Sequence, residues 1–271
     1  MADRVRFKNP PVVEVVCGAT FAPIEGLLAA HVGGLWDRFR ADLPKAREMP
    51  PIAQVIERFA DVPAMPSVQF EVTDRPDLPR TWFVSQDERE LVQHQRDRLI
   101  YNWKRPDHQA VDYTQYEDVI ESFERKLDTF VGFLRDHGLG EPSYLQFELT
   151  YVNHILNENG LIGGPDGGVL ADHVRDNSRK RFLPAPETYR WATVYQMPDQ
   201  QGRLHIVADS VLRASTRERM LRLNLTARGI GSDTGRAGVR PWFDLAHEWV
   251  TQGFVDITSP EVRRNVWEQE Q

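Results

Sequence analysis

Residues 114–137 constrain the fold more than any other stretch of the chain. Tyr116, Val119, Ile120, Phe123, Leu127, Phe130 and Leu134 recur at helical spacing as one apolar stripe, while Glu117, Glu121, Glu124 and Asp128 point the other way. Gly138 and Gly140 follow at once, and glycine supplies the left-handed backbone on which helices end. A long helix with one apolar face must bury it against a sheet or against another helix.

The flanking sequence supplies a sheet. In residues 12–21, Val13, Val15, Cys17, Ala19 and Phe21 alternate with Glu14 and Thr20, the period-two signature of a strand. Asn9-Pro10-Pro11 leads into it, as suits residues that need not donate to a ladder. A helix follows on Leu28, Val32, Leu35, Trp36 and Phe39. Then comes a proline-rich excursion over 41–66, with one helical turn expected near Ile52–Phe59. Short strands are expected at 67–72, 81–85, 90–95 and 99–103, before the long helix.

After the helix the pattern restarts. Pro142 leads a second alternating strand through Glu148, Tyr151, Asn153 and His154, followed by glycine-rich 160–168 and a short helical stretch at 169–176. Strands at 188–197, 203–213 and 219–227 come next, and helices close the chain. One begins near Pro241, and Thr258-Ser259-Pro260-Glu261 reads as a capping box for the last. The expectation is an α+β protein of two tandem related halves, 1–141 and 142–271. Each half reads strand, helix, antiparallel strands, helix, with the helices packed on one face of the sheet.

A net charge of −7 disfavours nucleic-acid binding through bulk charge. Cys17 is the sole cysteine and sits mid-strand, so neither a disulfide within the chain nor a cysteine-based zinc site is expected. No apolar run is long enough to span a bilayer and the first residues lack a secretion signal's apolar core, so a cytoplasmic location is expected.

Catalytic signatures fail on particular residues. His247-Glu248 would need a histidine where Thr251 stands to form a zinc-protease pair. Asp172-His173 with His154 has no diagnostic ligand spacing. The 160–168 glycines lack the Lys-Ser/Thr of a phosphate loop, and the basic stretch Arg175, Arg179, Lys180 and Arg181 is short and interrupted by Asp176. Arg222, Asn224 and Thr226 alternate as a polyphosphate-processing tunnel would require, but a Glu-x-Glu-x-Lys triplet is missing. No metal or cofactor is expected.

Two polar clusters remain. Around the 91–105 hairpin, Gln95, Arg96, Arg98, Asn102 and Trp103 combine fixed donor forks with a stacking face, suiting an anion or a partner surface. The bland account is a solvated hairpin whose arginines pair with Asp97. On the second alternating strand, Tyr151 and Asn153 face one way and join the candidate ligand- or partner-binding residues; Glu148 and His154 face the other, a Glu near a His that suits acid–base chemistry or, more plainly, hydrogen-bonded structural polars.

Asn9-Pro10-Pro11, Gln95-Arg96-Asp97-Arg98 with Asn102-Trp103, Tyr116-Glu117, Glu148 through His154, Ala246-His247-Glu248-Trp249 and Phe254 through Thr258 occur in this order. As a set they resemble a sporadically distributed bacterial family of about 250–270 residues with no assigned function. The resemblance implies genes that travel in mobile or defence-related neighbourhoods and carries over no catalytic residue. The function expected is a non-enzymatic binding protein for a partner protein or small anionic ligand, able to form a homodimer. The alternatives are a nucleotide or phosphoester enzyme using Glu14, Glu148 or His154, and a nucleic-acid module with a continuous arginine track.

Overall fold

The strand β1 (Val12–Phe21) lies in the middle of a single sheet in the computed structural model, which describes residues 5–59, 78–105, 114–156, 170, 188, 190–213 and 216–270. Along the chain follow α1 (Ala29–Phe39), β2 (Lys45–Met49), β3 (Arg80–Val84), β4 (Glu90–Gln95), β5 (Arg98–Lys104) and α2 (Tyr116–Asp136). Then come β6 (Tyr144–Leu156), β7 (Arg190–Gln196), β8 (Arg203–Leu212), β9 (Arg219–Gly229), α3 (Val239–Ile257) and α4 (Pro260–Asn265). Nine strands pair in the order β2-β3-β4-β5-β1-β6-β9-β8-β7, every neighbouring pair antiparallel.

The α+β class is as expected, but the two tandem halves are not. β1 pairs with β5 on one side and with β6 on the other, from Val12↔Asn153 to Phe21↔Tyr144. The sheet therefore runs unbroken across the boundary expected near residue 141, and buried residues from both sides of it form one cluster. The element order does not repeat either: β2 follows α1 as an unforeseen edge strand, and among the described residues no helix lies between β6 and β7. Similar alternation in β1 and β6 reflects a shared burial pattern, since two central strands must each bury one face. The expected strand at 67–72, the glycine-rich 160–168 and the basic residues at 175–181 lie outside the described residues; of the 169–176 stretch only Leu170 is described.

Register builds the core. Tyr101, Cys17, Leu149, Ala227 and Leu204 form one row across five strands, and all are buried. α2 lies on β1 and β5, α3 on β6, β8 and β9, and α1 on β3 beside α2. Phe21 stacks on Phe130 at 5.6 Å, and Phe123 meets Phe243 at 5.0 Å where α2 touches α3. Burial of each large apolar side chain contributes about 1.5–3 kcal/mol, an upper figure because unfolded chains are partly collapsed. Lys126 on α2 is buried but pairs at 2.8 Å with Asp42, and that hydrogen bond and charge hold the Asp42 carboxyl below the usual range.

At the end of α3 the Thr258 hydroxyl donates to the Phe254 carbonyl at 2.5 Å. It closes α3, and Ser259, the residue ahead of α4, makes no side-chain cap, so the expected capping box does not form. Phe7 bridges Gln269, which brings the segment ahead of β1 against the C-terminal helices. No helix among the described residues is long and apolar enough to cross a membrane.

Candidate recognition face and an opposite cavity

With the helices on one face, alternation sends every second side chain to the other. Gln95, Arg98, Thr20, Gln146, Arg228 and Arg203 line one end of that polar face, and Asn102, Glu14, Val152 and Asn224 lie farther along it. Residues 50–59 run across the first group in extended form rather than as the expected helical turn. A single isolated turn is a poor helix, and here the sheet offers better partners for its backbone groups.

Those partners are side-chain amides. The Ile52 N–H donates to Gln95 Oε1 at 3.0 Å while Gln95 Nε2 donates back to the Ile52 carbonyl at 3.2 Å. Gln146 does the same one step along, accepting from Glu57 N–H and donating to the Val55 carbonyl, each at 2.8 Å. Arg98 Nη1 donates to the Ala53 carbonyl at 3.3 Å and Arg203 Nη1 to the Arg58 carbonyl at 3.1 Å. The segment is thus read mainly through its backbone, across β4, β5, β6 and β8.

One side chain of the segment is also held. Glu57 accepts from Arg203 at 2.9 Å and lies 2.5 Å from His205 Nε2, while the Arg203 guanidinium sits 4.7 Å over the Phe59 ring. Burial works to raise the Glu57 carboxyl, but the hydrogen bonds and charges of His205 and Arg203 outweigh it and hold it below the usual carboxylate range.

Beside this segment a hydrogen-bond relay crosses four strands. Asn102 donates to Glu14 at 2.7 Å and accepts from Gln93 at 2.7 Å, and Gln93 in turn accepts from Trp82 Nε1 at 3.0 Å and Arg80 at 3.2 Å. Both ends of the Gln93 and Asn102 side-chain amides have partners, so the relay stiffens the face. Glu148 pairs with Arg228 at 2.5 Å two rows away.

On the helix side, a cavity of about 70 Å³ opens between the segment ahead of β1, the first turn of α2, β6 and α3. Its walls include Phe7, Tyr116, Tyr151, Asn153, His247 and Phe254. Tyr116 stacks flat on His247 at 3.9 Å and donates its hydroxyl to Asp244 at 3.0 Å, so it presents a ring plane. Burial, then the nearby Asp244 charge, pushes the Tyr116 hydroxyl upward and keeps it protonated. Asn153, 1% exposed, donates Nδ2 to the Leu223 carbonyl at 2.9 Å, which fixes the amide's orientation and leaves Oδ1 without a partner. A buried acceptor left so costs about 1–3 kcal/mol.

The residues singled out in the sequence thus divide three ways. Gln95 and Arg98 hold the 50–59 segment, Asn102 belongs to the relay, and Tyr151 and Asn153 line the cavity. Trp103, 3% exposed, faces the helices and offers no stacking surface. Arg96 is half-buried at the hairpin tip, where its carbonyl accepts from the Ile24 N–H. Arg98 is clamped by both carboxylate oxygens of Asp97, at 2.9 and 2.8 Å. Glu14, Glu148 and His154 share the polar face but do not converge. Glu148 stands apart, four residues of register or roughly 13 Å from Glu14 and six or roughly 20 Å from His154, while Glu14 lies on the strand beside His154 and two register positions from it. Among the described residues no three His, Cys, Asp or Glu side chains gather as a metal would need.

Gln146, Gln93, Arg203 and His205 were missed as functional candidates, although alternation along β6, β4 and β8 already puts them on the polar face. Nothing local signals Glu57, whose role depends on where the excursion lands. His94 was also passed over: it is fully buried, neither ring nitrogen has a partner, and burial lowers its pKa to about 4. Comparison with protein-family models gives no match for this chain, and comparison with curated proteins gives no significant match.

Proposed function

We propose that this is a non-enzymatic interaction protein that recognises an extended segment of a partner protein on the polar face of its sheet. One observation carries the reading: Gln95 and Gln146 each clasp backbone N–H and carbonyl groups of an extended stretch, here the chain's own residues 50–59. Backbone bonds from fixed side chains supply affinity for any extended peptide, and the Arg203–His205 pair supplies selectivity for a carboxylate at one position. A free anionic ligand is less favoured, because Arg98 and Arg203 already face Asp97 and Glu57. The distance of Glu148 from both Glu14 and His154 disfavours an enzymatic reading that needs all three together.

The test uses the full chain with residues 51–59 replaced by a glycine–serine stretch. A synthetic peptide of residues 50–59, followed by fluorescence anisotropy, should bind saturably and at least tenfold more weakly when Gln95→Ala and Gln146→Ala are both present. No binding at millimolar peptide, or binding indifferent to both substitutions, refutes the proposal. Replacing the peptide's glutamate by glutamine should weaken binding further if the carboxylate is read.

A further inference from the structure

We infer that the partner's segment carries a glutamate followed two residues later by an aromatic ring, because one buried arginine, Arg203, reads both; this rests on the polar face being a peptide-recognition surface. The chain's own segment shows how. Arg203 Nη1 donates to Glu57 Oε2 at 2.9 Å and to the Arg58 carbonyl at 3.1 Å, and its guanidinium lies 4.7 Å over the Phe59 ring. Acid, backbone and ring of three successive residues thus meet one planar group. The spacing follows from the extended backbone, in which residues two apart share a side. The residue between them, Arg58, stays exposed.

The acid is the stronger demand. The Arg203 and Glu57 side chains are 7% and 8% exposed, so a guanidinium that lost this carboxylate would lose a counter-charge where water cannot replace it. Arg228, its neighbour across the β8–β9 ladder, is answered separately by Glu148. His205, two residues along β8 on the same face, lies 2.5 Å from the other carboxylate oxygen of Glu57. Partners on both oxygens favour glutamate over glutamine, which keeps one acceptor and loses the charge. The ring is the weaker demand: a guanidinium is drawn to the negative face of an aromatic ring, and an aliphatic side chain has no such face. Val55, by contrast, is bonded through its carbonyl while its side chain is 45% exposed, so that position is open to variation.

The binder is the full chain with residues 51–59 replaced by glycine–serine. The probes are peptides of residues 50–59 amidated at the C-terminus, which leaves Glu57 as their one carboxylate. In fluorescence anisotropy, Glu57→Gln in the peptide should weaken binding about tenfold or more, and Phe59→Leu about three- to tenfold. Val55→Ala should change it by no more than about twofold. In the binder, Arg203→Lys keeps the charge and loses the planar face. It should bring the Phe and Leu peptides within about twofold of each other while glutamate is still preferred over glutamine. Binding that requires Gln95 and Gln146 but treats the Glu and Gln peptides alike, or the Phe and Leu peptides alike, overturns this inference and leaves the peptide-recognition reading standing. No binding at millimolar peptide refutes that reading and this inference with it. Should the replaced chain fail to fold, hydrogen exchange in the otherwise intact chain decides. The Ile52 and Glu57 amides, which donate to Gln95 and Gln146, should exchange faster in Phe59→Leu than in Val55→Ala, and equal rates overturn the inference.

Discussion

Burial of His94 in its neutral form should make the protein acid-sensitive above pH 5, because the unfolded chain takes up a proton that the folded core refuses. The imidazole is fully buried between Thr81 and Leu99 on neighbouring strands, with the Phe130 ring at 5.6 Å. Neither nitrogen has a partner, so the charged form would be desolvated with nothing to compensate it. Burial lowers its pKa from 6.5 to about 4, with the Asp97 charge opposing only weakly. At 1.36 kcal/mol per unit, that difference corresponds to about 3 kcal/mol of folding stability. The unfolded chain takes up the proton as the pH falls below 6.5 while the folded chain resists until about 4. Stability from this group is therefore complete above 6.5, declines through the window and is gone below 4. Urea unfolding followed by tryptophan fluorescence at pH 7.5 and pH 5 should lose about 2 kcal/mol in the wild-type protein for this reason alone. His94→Leu removes both orphaned nitrogens at similar volume. It should be more stable at neutral pH by about 1–3 kcal/mol and should lack that part of the acid sensitivity. Parallel pH profiles for the two proteins would refute the reasoning.

Glu57→Ala should destabilise by about 3 kcal/mol, since it strips a carboxylate from a buried guanidinium; a loss below about 1 kcal/mol would mean that the 50–59 segment holds without it. The stabilisation by Glu57 is full above its ordinary value of 4.5 and fades as the pH drops below that, which a wild-type against Glu57→Gln comparison under acid would reveal. Gly132→Ala should stabilise by about 1 kcal/mol in thermal melts, because Gly132 lies inside α2 and an added methyl meets nothing within 4 Å. Gly229→Ala should instead destabilise by about 1–3 kcal/mol, because its methyl would collide with the Gln201 carbonyl oxygen where β9 passes the preceding turn.

Much of the secondary structure was legible because it is local. The stripe from Tyr116 to Leu134 is buried as a helix face, and the turns at Asp87 and Asp97 separate β3, β4 and β5. The candidate site was legible only in part. Alternation separates Tyr151 and Asn153 from Glu148 and His154, yet it does not say that the first pair borders a cavity. Gln95 and Arg98 were noticed for their chemistry, as surface groups; that they hold a backbone segment arriving from residues 50–59 left no trace near them. Trp103 suggested stacking by its type, but its place in the period aims it at the helices.

Periodicity alone determined which side of each strand faces the core, because burying one face and wetting the other is a nearest-neighbour requirement written every second residue. Tertiary structure alone decided that β1 and β6 join as neighbours, so that what reads as two halves is one sheet. Ladder hydrogen bonds are made by the backbone, the same for every residue, and similar alternation fits a strand to many neighbours. The same reason hides the path of residues 50–59. Their course is set by Gln95, Gln146 and Arg203, which lie far apart in the chain and meet only once the sheet has formed.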